Sequence, residues 1–316
     1  MLGSILKIFT LLLVLSLTSS VYAQNGAGTW PKSALIEATE LLEDLRILSA
    51  DSMQGREASR AGMQKARDYI KRRFHESGIL PLGSTYEQEF RIVQRDKTET
   101  LKGVNFIGFI KGAKRPDKYI VITAHYDHLG VRKGKIYNGA DDNASGTASL
   151  FAIAKAINKE KLENSVIFIA FDAEETASQG SKYFVANLPV KKESIGLNIN
   201  VDMVSRNTKG ELWVAGAYAN PFLRPTLEEA QKVARVKLMI GHDDPKEGRE
   251  YDWTFQSDQE SFHAAKIPWI YFGVEDHKDY HKPTDDFVNI MPEFYVHAVE
   301  TVLLTARLFD KELSVE

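Results

Sequence analysis

The 316-residue chain contains no cysteine. That absence removes disulfides, thiolate nucleophiles, Cys-ligated zinc and Cys-linked lipid anchors together. Net charge is also scarce: 40 Lys and Arg against 43 Asp and Glu leave a formal charge of -3. With no basic surplus to hold a polyanion, nucleic acid is not an expected partner. The short basic clusters at 71–73 and 191–192 read as solvated faces. Long hydrophobic runs are missing too, except near the start. There Lys7 precedes IFTLLLVLSL, which is shorter than the roughly 20 residues of a bilayer-spanning helix. A secretory signal peptide from Met1 to Ala23, cleaved within VYAQ, is the better reading. The expectation is an exported chain, periplasmic or secreted, with no membrane span in the mature residues 24–316. Without disulfides, such a fold depends on its core or on bound metal.

What is present is a globular composition, 43% hydrophobic and 26% charged. From Ser33, a candidate N-cap, SALIEATELLEDLRIL carries apolar residues at helical spacing. A second helix, AGMQKARDYIKRRFHESG, ends at Gly78. Strand-like runs follow at 104–110, 119–125, 165–171, 195–202, 211–216 and 268–273, with helical segments between them and a last helix over 292–310. Near-continuous Val, Ile and Phe strands separated by helices indicate a sheet covered on both faces. The fold class expected is α/β, a three-layer α/β/α sandwich around a central, mostly parallel mixed sheet. No repeat or low-complexity tract divides the chain, so one mature domain with a helical N-terminal lead-in is expected.

Three of the apolar runs end alike. VITAHYD ends on His125 and Asp127, IFIAFDAEE on Asp172, Glu174 and Glu175, and NINVDM on Asp202. Ligands of open α/β sheets bind beyond the carboxyl ends of the strands, so neighbouring parallel strands bring these groups into one crevice. NGADDNASG places Asp141 and Asp142 ahead of a helix, and DYHKPTDD supplies His281. Taken singly, the Asp pair reads equally as a helix cap and the Glu pair as a charged first turn. His128, His242, His263, His277 and His297 read as structural or surface residues. Taken together, so many carboxylates at adjacent strand ends repel one another unless a cation is present. Oxygen and imidazole donors without sulfur suit zinc or another divalent first-row metal. Their number exceeds one tetrahedral shell and suits two ions.

The order AHYD, GADDNASG, DAEE…GS, NVDM and YHKPTDD, from Asn105 to Asp286, resembles the exported di-zinc aminopeptidases of peptidase clan MH, of the bacterial leucyl aminopeptidase type. LSADSMQGRE at 48–57 resembles the N-terminal part of the bacterial members. The resemblance implies hydrolysis of the N-terminal peptide bond of a peptide substrate, with two zinc ions as cofactor. It implies His125 and Asp202 on one metal, Glu175 and His281 on the other, and Asp141 bridging both. Asp127 would orient His125 by accepting its ring N–H, and Glu174 would be the general base acting on a metal-bridging water. Gln259 stands where the family often has histidine, Ser205 where glycine is frequent, and His128 where serine is common; all three concern the substrate pocket. The alternatives are a dipeptidase or carboxypeptidase of the same clan, for which Arg206 or Arg249 could bind a terminal carboxylate. Further alternatives are a one-zinc glutaminyl cyclase and a non-catalytic ectodomain. GADDNASG and the intact ligand set speak against the last two.

Overall fold

The computed structural model describes residues 30–93 and 100–313, and the expected signal peptide lies outside them. Helices α1 (Ala38–Leu48) and α2 (Ala61–Glu76) lead into the strands β1 (Leu80–Pro81), β2 (Glu87–Val93), β3 (Thr100–Ile110) and β4 (Arg115–His125). After the hairpin of β5 (Gly130–Arg132) and β6 (Lys135–Tyr137) come α3 (Gly146–Lys159), β7 (Asn164–Phe171), α4 (Gln179–Ala186) and β8 (Ile195–Val201). The chain finishes with β9 (Glu211–Ala215), α5 (Arg224–Val233), β10 (Lys237–Ile240), α6 (Gln259–Ala264), β11 (Trp269–Gly273) and α7 (Pro292–Glu312).

The main sheet has the order β1-β3-β7-β4-β8-β11-β9-β10, with β2 also paired to β3. Its centre, β7-β4-β8-β11, is parallel. The antiparallel pairs β3–β7 and β9–β11 flank that centre. The expected mixed α/β sheet is thus present, parallel where the site lies, with antiparallel pairs on either side and a parallel β9–β10 pair at one edge.

Burial explains the near-continuous hydrophobic strands. Every residue of β7 is buried. Alternate side chains go to opposite layers, as strand geometry requires. Ile120, Ile122 and Phe168 join the core under α1, α2, α3 and α7, while Val121, Ile167 and Ile169 join Phe184 and Phe262 on the other face. Helix α3 is buried almost throughout because it lies against the sheet and touches both α1 and α7.

One local expectation is corrected. The first helix begins at Ala38 and not after Ser33. Ser33 Oγ instead accepts the N–H groups of Leu35 and Ile36 and donates to Glu300, closing a separate turn. Among the described residues, no helix is long and apolar enough to cross a membrane.

Candidate metal centre

The four central strands run the same way, so their carboxyl ends share one edge of the sheet. β4 delivers His125 there, β7 the 172–175 turn, β8 Asp202, and β11 the loop that carries His281. His125 Nε2 lies 3.4 Å from Asp142 Oδ1 and 3.3 Å from Asp202 Oδ1. His281 Nε2 lies 3.1 Å from the other oxygen of Asp142 and 3.4 Å from Glu175 Oε2. His128 Nδ1 is 2.8 Å from Glu175 Oε1 and 3.6 Å from Asp142 Oδ2. Asp142 is therefore shared between two groups, His125–Asp142–Asp202 and His128–Asp142–Glu175.

Several of these close atoms are not hydrogen-bonded. Both ring nitrogens of His128, Glu175 Oε1 and Asp202 Oδ1 are buried without a hydrogen-bond partner among the described residues. Buried polar atoms are otherwise almost always paired. Convergent, unsatisfied nitrogen and oxygen donors are what a divalent cation with N/O ligands requires, and they fit zinc.

The structure does not bring Asp141 into either group. Its Oδ1 accepts the backbone N–H and the hydroxyl of Ser205, each at 2.7 Å, and its Oδ2 lies 2.9 Å from His277 Nε2. The position between the two groups, expected of Asp141, is occupied by Asp142. The reason is the path of the turn. Asp285 accepts the backbone N–H groups of both Asp141 and Asp142, and Asn143 Nδ2 donates to the Val201 carbonyl. With the backbone held this way, the two consecutive side chains leave on opposite sides. His128, read from the sequence as a structural or surface residue, is the second departure: it is buried beside Glu175 and Asp142.

Asp127 also works differently from the expectation. The contact at 3.1 Å with His125 Nδ1 is made by the Asp127 backbone carbonyl, and its carboxylate stands 3.6 Å off. That carboxylate instead accepts the N–H groups of Glu174 and Glu175 at 3.0 and 3.3 Å, so Asp127 fixes the turn bearing both acids. The turn enters through Ala173 in the left-handed region, φ 59°. Asp172 faces away, paired with Arg67 at 2.7 Å and with the Tyr126 hydroxyl, and belongs to the scaffold.

Protein charges alone divide the acids. Burial holds the Glu174 carboxyl well above the usual range, against the pull of His125. Glu175 ends below its usual value because contacts with His128 and His281 outweigh burial and the Asp142 charge. His281, despite partial burial, is pushed up to about 10 by Asp142 and Glu175. Burial also raises Asp258, which lies behind the site with neither oxygen hydrogen-bonded, to about 7.

These groups floor a cavity of about 240 Å3. Glu174, Glu175, Asp142 and Asp202 supply its acids, Trp253, Tyr271 and Val274 its apolar wall, and Asp276 part of its rim. Trp253 is braced from behind by His242, stacked at 4.0 Å.

A family model described as Peptidase family M28 matches residues 105–306. Among curated proteins, aminopeptidase YwaD of Bacillus subtilis is 27% identical over 252 residues, covering 73% of this chain and 51% of that protein. Leupeptin-inactivating enzyme 1 of Streptomyces exfoliatus is 27% identical over 249 residues, covering 78% and 50%. The chain thus spans about half the length of these relatives. Among solved structures, a zinc aminopeptidase from Bacillus subtilis superposes with a TM-score of 0.71 at 17% identity, over 87% of this chain and 96% of its own. A glutaminyl cyclase from Porphyromonas gingivalis gives 0.70 at 18%, over 89% and 100%. At such identities the superpositions establish the α/β/α fold.

Proposed function

The chain belongs to peptidase family M28, and from that premise and the site geometry we propose that it is a two-zinc aminopeptidase, removing the N-terminal residue of peptides. His125, Asp142 and Asp202 would hold one ion. Asp142, Glu175 and His281 would hold the other, with His128 completing that group. Bound there, zinc supplies Lewis-acid polarisation of the scissile carbonyl and lowers the pKa of water from about 15.7 towards 7.

The observation that carries the choice of substrate end is the charge of the cavity. None of its described lining residues is Lys or Arg, and Asp276 remains as a carboxylate beside those given to metal and to proton transfer. A carboxypeptidase must pair a terminal carboxylate with a cation; this cavity offers Asp276 to a terminal ammonium instead. Arg206 is paired with Asp279 at 2.8 Å and lines a neighbouring cavity, and Arg249 is exposed outside the lining. The peptide's first side chain would lie against Trp253, Tyr271 and Val274.

Glu174 is the acid suited to proton transfer. Its neighbour Glu175 is engaged by His128 and His281, whereas Glu174 lines the cavity with a raised pKa. A carboxylate that faces the cavity without a ligand contact of its own accepts a proton from attacking water and returns it to the leaving amine. Asp127 holds its backbone during both transfers.

The reading is tested with leucyl-p-nitroanilide, its N-acetylated form, and a glutaminyl peptide. Metal-dependent cleavage of the free amine alone supports an aminopeptidase. Equal cleavage of the acetylated compound contradicts it, as does cyclisation of the glutaminyl peptide without hydrolysis.

A further inference from the structure

Arg56 lies in the lead-in turn at 51–57, outside the residues matched by the family model. Its side chain is completely buried. The guanidinium donates only to backbone carbonyls: Nε to Tyr126 at 2.9 Å, Nη1 to Leu48 at 2.7 Å and Asn138 at 2.6 Å, and Nη2 to Gly139 at 2.8 Å. Tyr126 directly follows His125, and Gly139 stands three residues before Asp142. The Arg56 backbone carbonyl also accepts the N–H of His128 at 3.2 Å. One residue thus ties together the two segments that bring His125, His128 and Asp142.

The rest of the turn supports this clamp. Gln54, Gly55 and Arg56 all have positive φ. A Cβ on Gly55 would stand 2.3 Å from the Tyr137 carbonyl and 2.6 Å from that of Gly130, so the turn is wedged against the β5–β6 hairpin. Asn138 Nδ2 donates to Asp51 and to Asp286, each at 2.8 Å, joining the turn to the loop that follows His281. A buried cation ordinarily demands a carboxylate partner. Here burial lowers the Arg56 pKa to about 10, against the pull of Asp142, Asp285, Asp127 and Glu175. The guanidinium therefore stays charged at neutral pH and faces the field of the acidic site.

We propose that Arg56 is a positioning residue of the metal centre, clamping the 125–128 and 138–142 segments so that their ligands converge. The proposal rests on the metal reading above. A planar fork of five donors reaches several carbonyls at fixed angles, which a lysine ammonium cannot reproduce. Supporting contacts of this kind change metal affinity by about 10–100-fold when removed.

The test measures zinc affinity by competition with a chromophoric chelator in the wild-type chain, Arg56→Lys, Arg56→Gly and Leu227→Ala. Leu227 is buried in α5, which packs on α7 and β10, and its truncation reports general destabilisation. Arg56→Lys should weaken zinc about 10–100-fold, guanidinium salts should restore affinity to Arg56→Gly, and Leu227→Ala should bind as wild type. Unchanged affinity in folded Arg56→Lys overturns the proposal, as does equal weakening in Leu227→Ala. A wild-type chain that takes up no zinc overturns the metal reading and this proposal with it. Should the Arg56 variants fail to fold, hydrogen exchange of the wild type decides. Zinc should slow exchange across 51–57, because coupling between two sites is reciprocal. Protection confined to the ligand loops overturns the clamp.

Discussion

Asp141 and Asp142 are adjacent in the chain and send their carboxylates to opposite sides of one turn, Asp141 to Ser205 and His277, Asp142 to His125 and His281. On the proposed reading, Asp141 belongs to the scaffold and Asp142 to the metal site. Asp142→Asn should lose zinc at both groups while remaining folded. Asp141→Asn should retain two zinc ions but lose about 1–3 kcal/mol of stability, since it disturbs a buried hydrogen-bonded acceptor. Metal analysis and denaturant unfolding of the two variants check this; zinc loss in Asp141→Asn with retention in Asp142→Asn would reverse the assignment.

Glu174→Gln should keep both ions and lose turnover by about 10²–10⁴-fold, the usual contribution of a positioned general base. The substitution preserves shape and the backbone contact with Asp127. Steady-state kinetics alongside metal content checks it, and near wild-type kcat would remove Glu174 from the mechanism.

The strands that build the site were legible because β7, β8 and the second half of β4 are buried on both faces and so lack alternation. That pattern placed His125, the 172–175 turn and Asp202 at one edge of the sheet, and the family resemblance singled out Glu175 within the turn. Asp142 could not be told from Asp141, because the choice is made by distant partners: Asp285, Ser205 and His277 reach the turn only in the folded chain. His128 was hidden for a similar reason. It sits in a loop three residues beyond His125, and only the return of Glu175 and Asp142 gives it a role. The short strands β1, β5 and β6 carry too few residues for a periodic signal, and nothing in LSADSMQGRE marks Arg56 as buried. A buried arginine whose partners are all carbonyls leaves no complementary charge in the sequence to find.

Asp258 gives a pH dependence to the metal-free protein. Its folded-state pKa of about 7 exceeds the ordinary 3.8, so the folded state binds this proton more tightly than the unfolded chain does. Its contribution to stability is complete below about pH 4 and is lost as pH rises through 7. Asp258→Asn should therefore stabilise the metal-free protein at pH 8, by an amount on the order of a few kcal/mol, and change it little at pH 4. Urea midpoints at the two pH values measure the difference. An effect of equal size at both would assign Asp258 a packing role without titration.

The most direct measurement titrates zinc into the metal-depleted chain, following hydrolysis of leucyl-p-nitroanilide and the melting temperature together. Activity should rise and saturate near two equivalents. At zinc 100-fold above its dissociation constant, each ion should add about 2.7 kcal/mol of stability. Full metal uptake with no hydrolysis, or saturation of activity and stability at one equivalent, would contradict a two-zinc aminopeptidase built around Asp142.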